Sequence, residues 1–258
     1  MSLNLAKKLF NPIINYFGSK KMERFTEEPI VIGGCGRSGT TLLLSILGAH
    51  PNIYSFSKEI GIFLEWRKKE DESDYLYYPR IDRLNRFVLM NKIPVEAKRW
   101  CEKTPGNIRN FDKILDYFDN RVKLINIIRD GRDIMLSKHP KKEDDYWVSP
   151  ERWVNDVKAG LKFKDHPQVL TIKYEDLILN YHDLIVEICD FIDEDCPEEV
   201  YNWFEHTNVK KSKAWSHSAQ KIHSKSIKKW EKEENKERVE EIMANDEVVD
   251  LLEQLNYL

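Results

Sequence analysis

The chain lacks a long apolar run: nothing in its 258 residues approaches the ~18 consecutive apolar positions of a membrane span. It also lacks a surplus of one charge. Lys and Arg number 41 against 44 Asp and Glu, a net charge of −3, which removes the electrostatic case for bulk binding to nucleic acid or an anionic membrane. Cysteine is sparse. Cys35, Cys101, Cys189 and Cys196 are scattered, with no CxxC pair and no metal-like His/Cys spacing, so reduced thiols, a cytoplasmic setting and no zinc site are expected. The seven histidines assemble into nothing, and His206, His217 and His223 read as solvated groups in or near a basic stretch. No internal repeat or low-complexity linker breaks the chain, which is long enough for one large domain, here 1–258. Residues 1–27 lack the continuous apolar core of a signal peptide, because Lys7, Lys8, Asn11 and Pro12 interrupt it. They read as a peripheral amphipathic helix, with a loose membrane-surface role as the alternative.

What the chain does have is concentrated in Pro29 to His50, PIVIGGCGRSGTTLLLSILGAH. Ile30, Val31 and Ile32 form the short β-branched run of a covered parallel strand. Gly33, Gly34, Gly36 and Gly39 then permit turns and close approaches that side chains forbid. Thr40 to Leu47 resumes as a helix, and a helix N-terminus behind a glycine-rich loop is an anion site, usually for phosphate. The loop keeps the GxxxxG spacing of a Walker A sequence, but Thr40 stands where its lysine belongs, and the cation has moved to Arg37. That swap argues against an ordinary ATPase or GTPase. A glycine-rich turn that binds nothing is the alternative.

Strands alternate with helices along the rest of the chain. A short extended piece covers Ile53 to Ser57, and residues 68–80 read either as a lid whose tyrosines line an acceptor groove or as a solvated charged loop. A helix is expected over Ile81–Met90, a strand over Ala97–Glu102, a helix over Asn107–Phe118 and a strand over Val122–Ile128. Asp130 caps a helix to about Ser137, Ser149 or Pro150 opens another through Phe163, and Gln168–Lys173 is a further strand. Helices follow from Leu177, then a basic loop over Lys210–Lys229, then two surface helices in 231–258 packed by Val239, Ile242, Met243, Val248, Leu251, Leu252 and Leu255. The pattern predicts an α/β fold: three layers, a central parallel sheet, a core over about 29–230 and peripheral C-terminal helices. Four informative strings fall at or just after strand ends, where open parallel sheets bind ligands: the glycine loop, Lys103-Thr104-Pro105, Arg129 to Ser137, and Tyr174-Glu175-Asp176.

Two of these strings together resemble the sulfotransferase family. RSGTT followed by leucines resembles the loop that holds the 5′-phosphosulfate of the donor 3′-phosphoadenosine 5′-phosphosulfate. LINIIRDGRDIMLS is similar to the family's strand ending in an arginine with a serine eight residues on, here Arg129 and Ser137, which grips the 3′-phosphate. An arginine fork and a hydroxyl suit a dianionic phosphate. The resemblance covers roughly residues 29–230 and implies donor contacts from Arg37, Ser38, Gly39, Thr40, Thr41, Arg129, Ser137, Tyr174 and, near the C-terminus, Lys229 before Trp230. The small-phenol and steroid branch carries a histidine after its lysine-threonine pair, and this chain has Pro105 there. Other branches use a glutamate after the first helix, and Glu59 is the only acidic residue between Glu28 and Glu65. A surface glutamate at a helix start is the bland reading.

The resemblance therefore implies transfer of a sulfuryl group to a hydroxyl acceptor, whether a glycan, a lipid head group, a small alcohol or a tyrosine. Glu59 is the implied base, Lys103 the contact to the sulfuryl oxygens, and Arg37 the group taking up charge on the bridging oxygen. No metal is implied, nor a nucleic-acid partner. A P-loop kinase of a small metabolite and a non-catalytic nucleotide-binding module are the competing readings.

Overall fold

The structure is a computed structural model that describes residues 3–68, 77–139, 142–211 and 218–258. After α1 (Leu3–Met22) come β1 (Ile30–Gly34), α2 (Thr40–Leu47), β2 (Ile53–Ser55), β3 (Arg67–Lys68), β4 (Tyr77–Tyr78), α3 (Ile81–Met90) and β5 (Arg99–Lys103). A 3₁₀ turn (Pro105–Asn110) leads into α4 (Phe111–Tyr117), then β6 (Lys123–Ile128), α5 (Gly131–Met135), β7 (Lys138–His139), β8 (Lys142–Tyr146), α6 (Pro150–Leu161) and β9 (Val169–Lys173). The chain closes with α7 (Tyr174–Leu179), α8 (Tyr181–Phe191), the short α9 (Glu198–Tyr201) and α10 (Trp203–His206), and α11 (Lys236–Met243) and α12 (Asp246–Gln254).

Five strands form one parallel sheet in the order β2-β5-β1-β6-β9. The glycine-loop strand sits at its centre, with Ile30 paired to Cys101 on one side and Lys123 on the other. Side chains alternate across the sheet, as the two-residue strand period demands. Ile30, Ile32, Ile125 and Ile127 pack on one face with Leu43, Leu47, Ile185 and Ile188. Val31 and Leu124 pack on the other with Ile108, Phe111, Ile114 and Trp100. Both faces are covered, which is why these strands read as continuous apolar runs. The extended piece after α2 is thus a fifth, edge strand.

The C-terminal helices build a third cluster, in which Ile242, Val248, Leu251, Leu252 and Leu255 pack with Trp153, Ile134 and Met135. Val239 is only half-buried. N-terminally, α1 runs through Pro12 and lies on α3 so closely that a Cβ on Gly18 would come within 2.5 Å of Asn85 Cβ.

Three expectations change. The helix expected over Asn107–Phe118 begins as a 3₁₀ turn, because Asn107 reaches from it to Ile32 O (3.2 Å) and the Glu102 carboxylate (2.7 Å). Between α5 and α6 the chain forms an antiparallel hairpin, β7 with β8, that its polar sequence hides. Within 68–80, read as a lid or a solvated loop, Tyr77–Tyr78 pairs antiparallel with Arg67–Lys68, while 69–76 lie outside the described residues. So does His217, and so do the other residues of 212–217 in the basic loop.

Candidate active site

The glycine loop takes its shape from three residues in left-handed backbone: Gly34 (φ 148°), Arg37 (φ 73°) and Gly39 (φ 103°). A Cβ at Gly39 would lie 2.3 Å from Tyr174 Cδ2, so the last glycine is required by packing as well as by conformation. Arg37 adopts the same region without that freedom, at a cost on the order of 1 kcal/mol. Functional sites tend to hold such strain, and here it falls on the loop's one cation. Ser38, Thr40 and Thr41 are buried at the start of α2, and Ser38 Oγ is buried with no partner. The loop thus presents hydroxyl and amide donors on a helix start, the arrangement that cradles an anion.

Arg129, at the end of β6, is buried against the ring of Tyr174, 4.4 Å from its centroid. It donates through Nη1 to Arg37 O at 3.0 Å and through Nη2 to Ser226 O and to Asp133 Oδ2 at 3.4 Å. Its Nε is buried and unpartnered. Tyr174 also shares a hydrogen bond with Ser226 Oγ at 2.7 Å.

The basic segment before Trp230 is drawn in by Asp133, which accepts from the backbone N–H of Lys228 (2.9 Å) and of Trp230 (3.3 Å). Trp230 stacks under Arg132, 3.7 Å from the guanidinium carbon to the ring centroid. Lys229 is thereby held half-buried beside Arg129. Loss of water first, then the charges of Arg129 and Arg37, hold its ammonium below the usual lysine range, with Asp133 opposing. The charged form of Arg37 is disfavoured in the same way, by loss of water and then by Arg129. Three mutually repelling cations around one glycine loop define a site that is stabilised by an anion. Ser137 lies half-buried at the root of the hairpin, its carbonyl accepting from Trp147 N at 2.8 Å.

Glu59 lies in an irregular stretch after β2, not at a helix start, with its side chain half exposed. Its carboxylate receives a hydrogen bond from Lys103 Nζ, at the end of β5. The sheet order sets β5 directly beside β1, so the structure brings the two expected catalytic groups together at the ligand-binding end of the sheet.

Sequence reasoning missed two acids that shape this site. Asp133 is one, fully buried, its carboxyl raised above the usual range by burial despite Arg129. Nothing in its sequence context marks it apart from a helix-start carboxylate. Glu102 is the other. It is fully buried in β5, accepts from Thr104 Oγ1 (2.5 Å) and Asn107 Nδ2 (2.7 Å), and burial pushes its carboxyl up to about 7. A carboxylate within a covered strand was the available signal. Two arginines also bear on the loop. Arg109 Nε (2.5 Å) and Arg152 Nε (3.7 Å) flank the buried Asp156, and a Cβ on Gly36 would sit 3.1 Å from Arg152 Nη2. Cys35, beside them, is no nucleophile, because burial and then Asp156 push its thiol far up.

A family model described as the sulfotransferase domain matches residues 27–246. The chain belongs to the sulfotransferase family. Its fold is that of known sulfotransferase domains. The domain from the curacin biosynthetic pathway superposes with a TM-score of 0.57 at 16% identity, covering 90% of this chain and 98% of that one. The domain from the Synechococcus PCC 7002 olefin synthase gives 0.57 at 20% identity, covering 80% and 88%. A mouse sulfotransferase complexed with PAP gives 0.50 at 16%, covering 94% and 95%. Among curated relatives, a protein-tyrosine sulfotransferase of Drosophila melanogaster is 30% identical over 121 residues, 41% of this chain and 24% of that protein. Protein-tyrosine sulfotransferase A of Caenorhabditis elegans is 28% identical over 117 residues, 40% of this chain and 30% of that protein. The matches therefore span under a third of either curated relative. No group of three or more potential metal ligands occurs among the described residues of this sulfotransferase domain.

Proposed function

We propose that this sulfotransferase domain transfers the sulfuryl group of 3′-phosphoadenosine 5′-phosphosulfate to a hydroxyl acceptor. The observation that carries the reading is the convergence of Arg37, Arg129 and Lys229 on a glycine loop without the Walker lysine, next to a lysine–carboxylate pair. Arg129 Nε and Ser38 Oγ are buried donors without a partner, a capacity that the oxygens of a bisphosphate would satisfy. The donor supplies an activated sulfur bound through oxygen to its 5′-phosphate.

Arg37 and the loop amides hold the 5′-phosphate, and Arg37 offsets charge as it grows on the bridging oxygen. Arg129, Ser137 and Lys229 hold the 3′-phosphate, and Tyr174 supports Arg129 from beneath. Lys103 faces the sulfuryl oxygens and, through its ion pair, orients Glu59. Glu59 takes the proton of the acceptor hydroxyl as its oxygen bonds to sulfur and the sulfur–oxygen bond to the phosphate breaks. Positioning and charge carry the rate, as in phosphoryl transfer. The relatives named as protein-tyrosine sulfotransferases make a tyrosine hydroxyl the first acceptor to try, ahead of a glycan, a lipid head group or a small alcohol. The reading includes a reducing, cytoplasmic compartment, supported by four free thiols, three of them buried.

Its test is ligand stabilisation. 3′-Phosphoadenosine 5′-phosphate without divalent metal is expected to raise the melting temperature more than ATP with magnesium. At ~100 times its Kd a ligand stabilises by about 2.7 kcal/mol, readily seen as a shift. A larger, chelator-sensitive shift with ATP and magnesium would instead mark a kinase.

A further inference from the structure

Five of the nine large apolar side chains exposed among the described residues gather at the N-terminal helix and its surroundings. Ile13, Tyr16 and Phe17 lie on the outer side of α1, each more than half exposed. Their i, i+3, i+4 spacing is that of one helical stripe. The opposite side of the helix carries Gly18, packed on Asn85. The helix's close contact with the fold thus lies away from the stripe. Met90 (78% exposed) and Val95 (87%) flank the helix's carboxyl end, where Lys21 Nζ donates to Asn91 O at 2.7 Å and Arg24 donates to Pro94 O at 2.5 Å.

The charge on this helix decides what covers the stripe. α1 holds Lys7, Lys8, Lys20 and Lys21 and no Asp or Glu, although the chain as a whole is slightly acidic. Glu23, just beyond the helix, offsets only Lys20, at 2.9 Å. Two copies joined through this stripe would set lysines against lysines. A partner with a negative surface and an apolar interior suits it, and that is an anionic bilayer: aromatic and aliphatic groups at the headgroup boundary, lysines among the phosphates. α1, at 20 residues, is not apolar enough to cross.

We infer that α1 is a reversible anchor that lays this sulfotransferase on anionic lipid surfaces through Ile13, Tyr16 and Phe17, with its lysines supplying the charge. The anchor leaves the cation cluster and the Glu59–Lys103 pair untouched, so it sets where the enzyme works and which acceptors are concentrated beside it.

Flotation of the full chain with vesicles tests this directly. With vesicles of phosphatidylcholine containing three-tenths phosphatidylglycerol, wild type is expected in the floated fraction at low salt. It should remain at the bottom with pure phosphatidylcholine, and 0.5 M NaCl should lower anionic binding about tenfold. Combined I13S, Y16S and F17S should abolish flotation, and combined K7Q, K8Q and K20Q should weaken it at least tenfold. Unchanged circular dichroism and an unchanged melting shift with 3′-phosphoadenosine 5′-phosphate would show that the variants are folded. Failure of wild type to float, or equal flotation by the serine variant, overturns the inference. So does a concentration-dependent dimer in light scattering that the serine substitutions dissolve, which would assign the stripe to a second copy.

Discussion

Glu59 and Arg129 do different work, and their variants separate it. Glu59 is half exposed and held by Lys103, so Glu59→Gln keeps the shape of the contact and removes the proton acceptor. Donor-product affinity should stay near wild type while kcat falls by about 10²–10⁴, the usual worth of a general base. Near wild-type turnover would move the base elsewhere. Arg129 is buried, ends β6 and has one donor still free. Arg129→Ala should weaken 3′-phosphoadenosine 5′-phosphate by about 2–3 kcal/mol, the order expected for hydrogen bonds from a charged group. Calorimetry with adenosine 5′-phosphate should show a much smaller loss. Equal losses for both nucleotides would make the residue a brace and not a reader of the 3′-phosphate.

The β6–α5 turn is the element on which the site hangs. Asp130 caps α5 by accepting from Arg132 N at 2.9 Å and pairs with the Arg132 side chain at 2.8 Å. Gly131 in the same turn lets Trp153 approach, since a Cβ there would meet Trp153 Cε2 at 2.6 Å. Asp133 then reaches sideways to the amides of Lys228 and Trp230. That segment consists of isolated 3₁₀ turns, with Lys228 in left-handed backbone, so little within it holds its shape. Asp133→Asn keeps the size, halves the acceptors and removes the charge beside Arg129. It should speed tryptic cleavage across Lys225–Lys232 and weaken the bisphosphate severalfold, with cleavage slowed again by saturating ligand. Unchanged digestion would show that Trp230 stacked on Arg132 suffices.

The whole molecule carries a cost in Glu102. Burial raises its carboxyl from an ordinary 4.5 to about 7, so the folded state holds this proton more tightly than the unfolded chain does. The sign follows from linkage: the group's contribution is fully favourable below about 4.5, declines as pH rises towards 7, and is flat above. A shift of that size amounts to about 3 kcal/mol. Glu102→Gln, which resembles the protonated acid, should remove this decline, and denaturant titrations at pH 5 and pH 8 measure it. Relative to wild type the variant should gain stability at pH 8 and little at pH 5. An unchanged difference between the two pH values would show that Glu102 stays ionised.

The sequence by itself determined the central strand, the glycine loop, the alternation that makes a covered parallel sheet, and the caps Asp130 and Ser149. These are local properties: a β-branched run, glycines before a helix start and a side chain that bonds its own backbone two or three residues on leave their mark within a few positions. It also supplied Arg37, Lys103 and Arg129 in strings at strand ends, and through the family resemblance Glu59 after the first helix and Lys229 before Trp230. Only the tertiary structure decided that Glu59 pairs with Lys103 and that Lys229 stands beside Arg129. Sheet order and the reach of Asp133 across 95 residues set those distances. Glu102 and Asp133 stayed hidden for the same reason, because burial and long-range hydrogen bonds give a carboxylate its role, and neither is written in its neighbours along the chain.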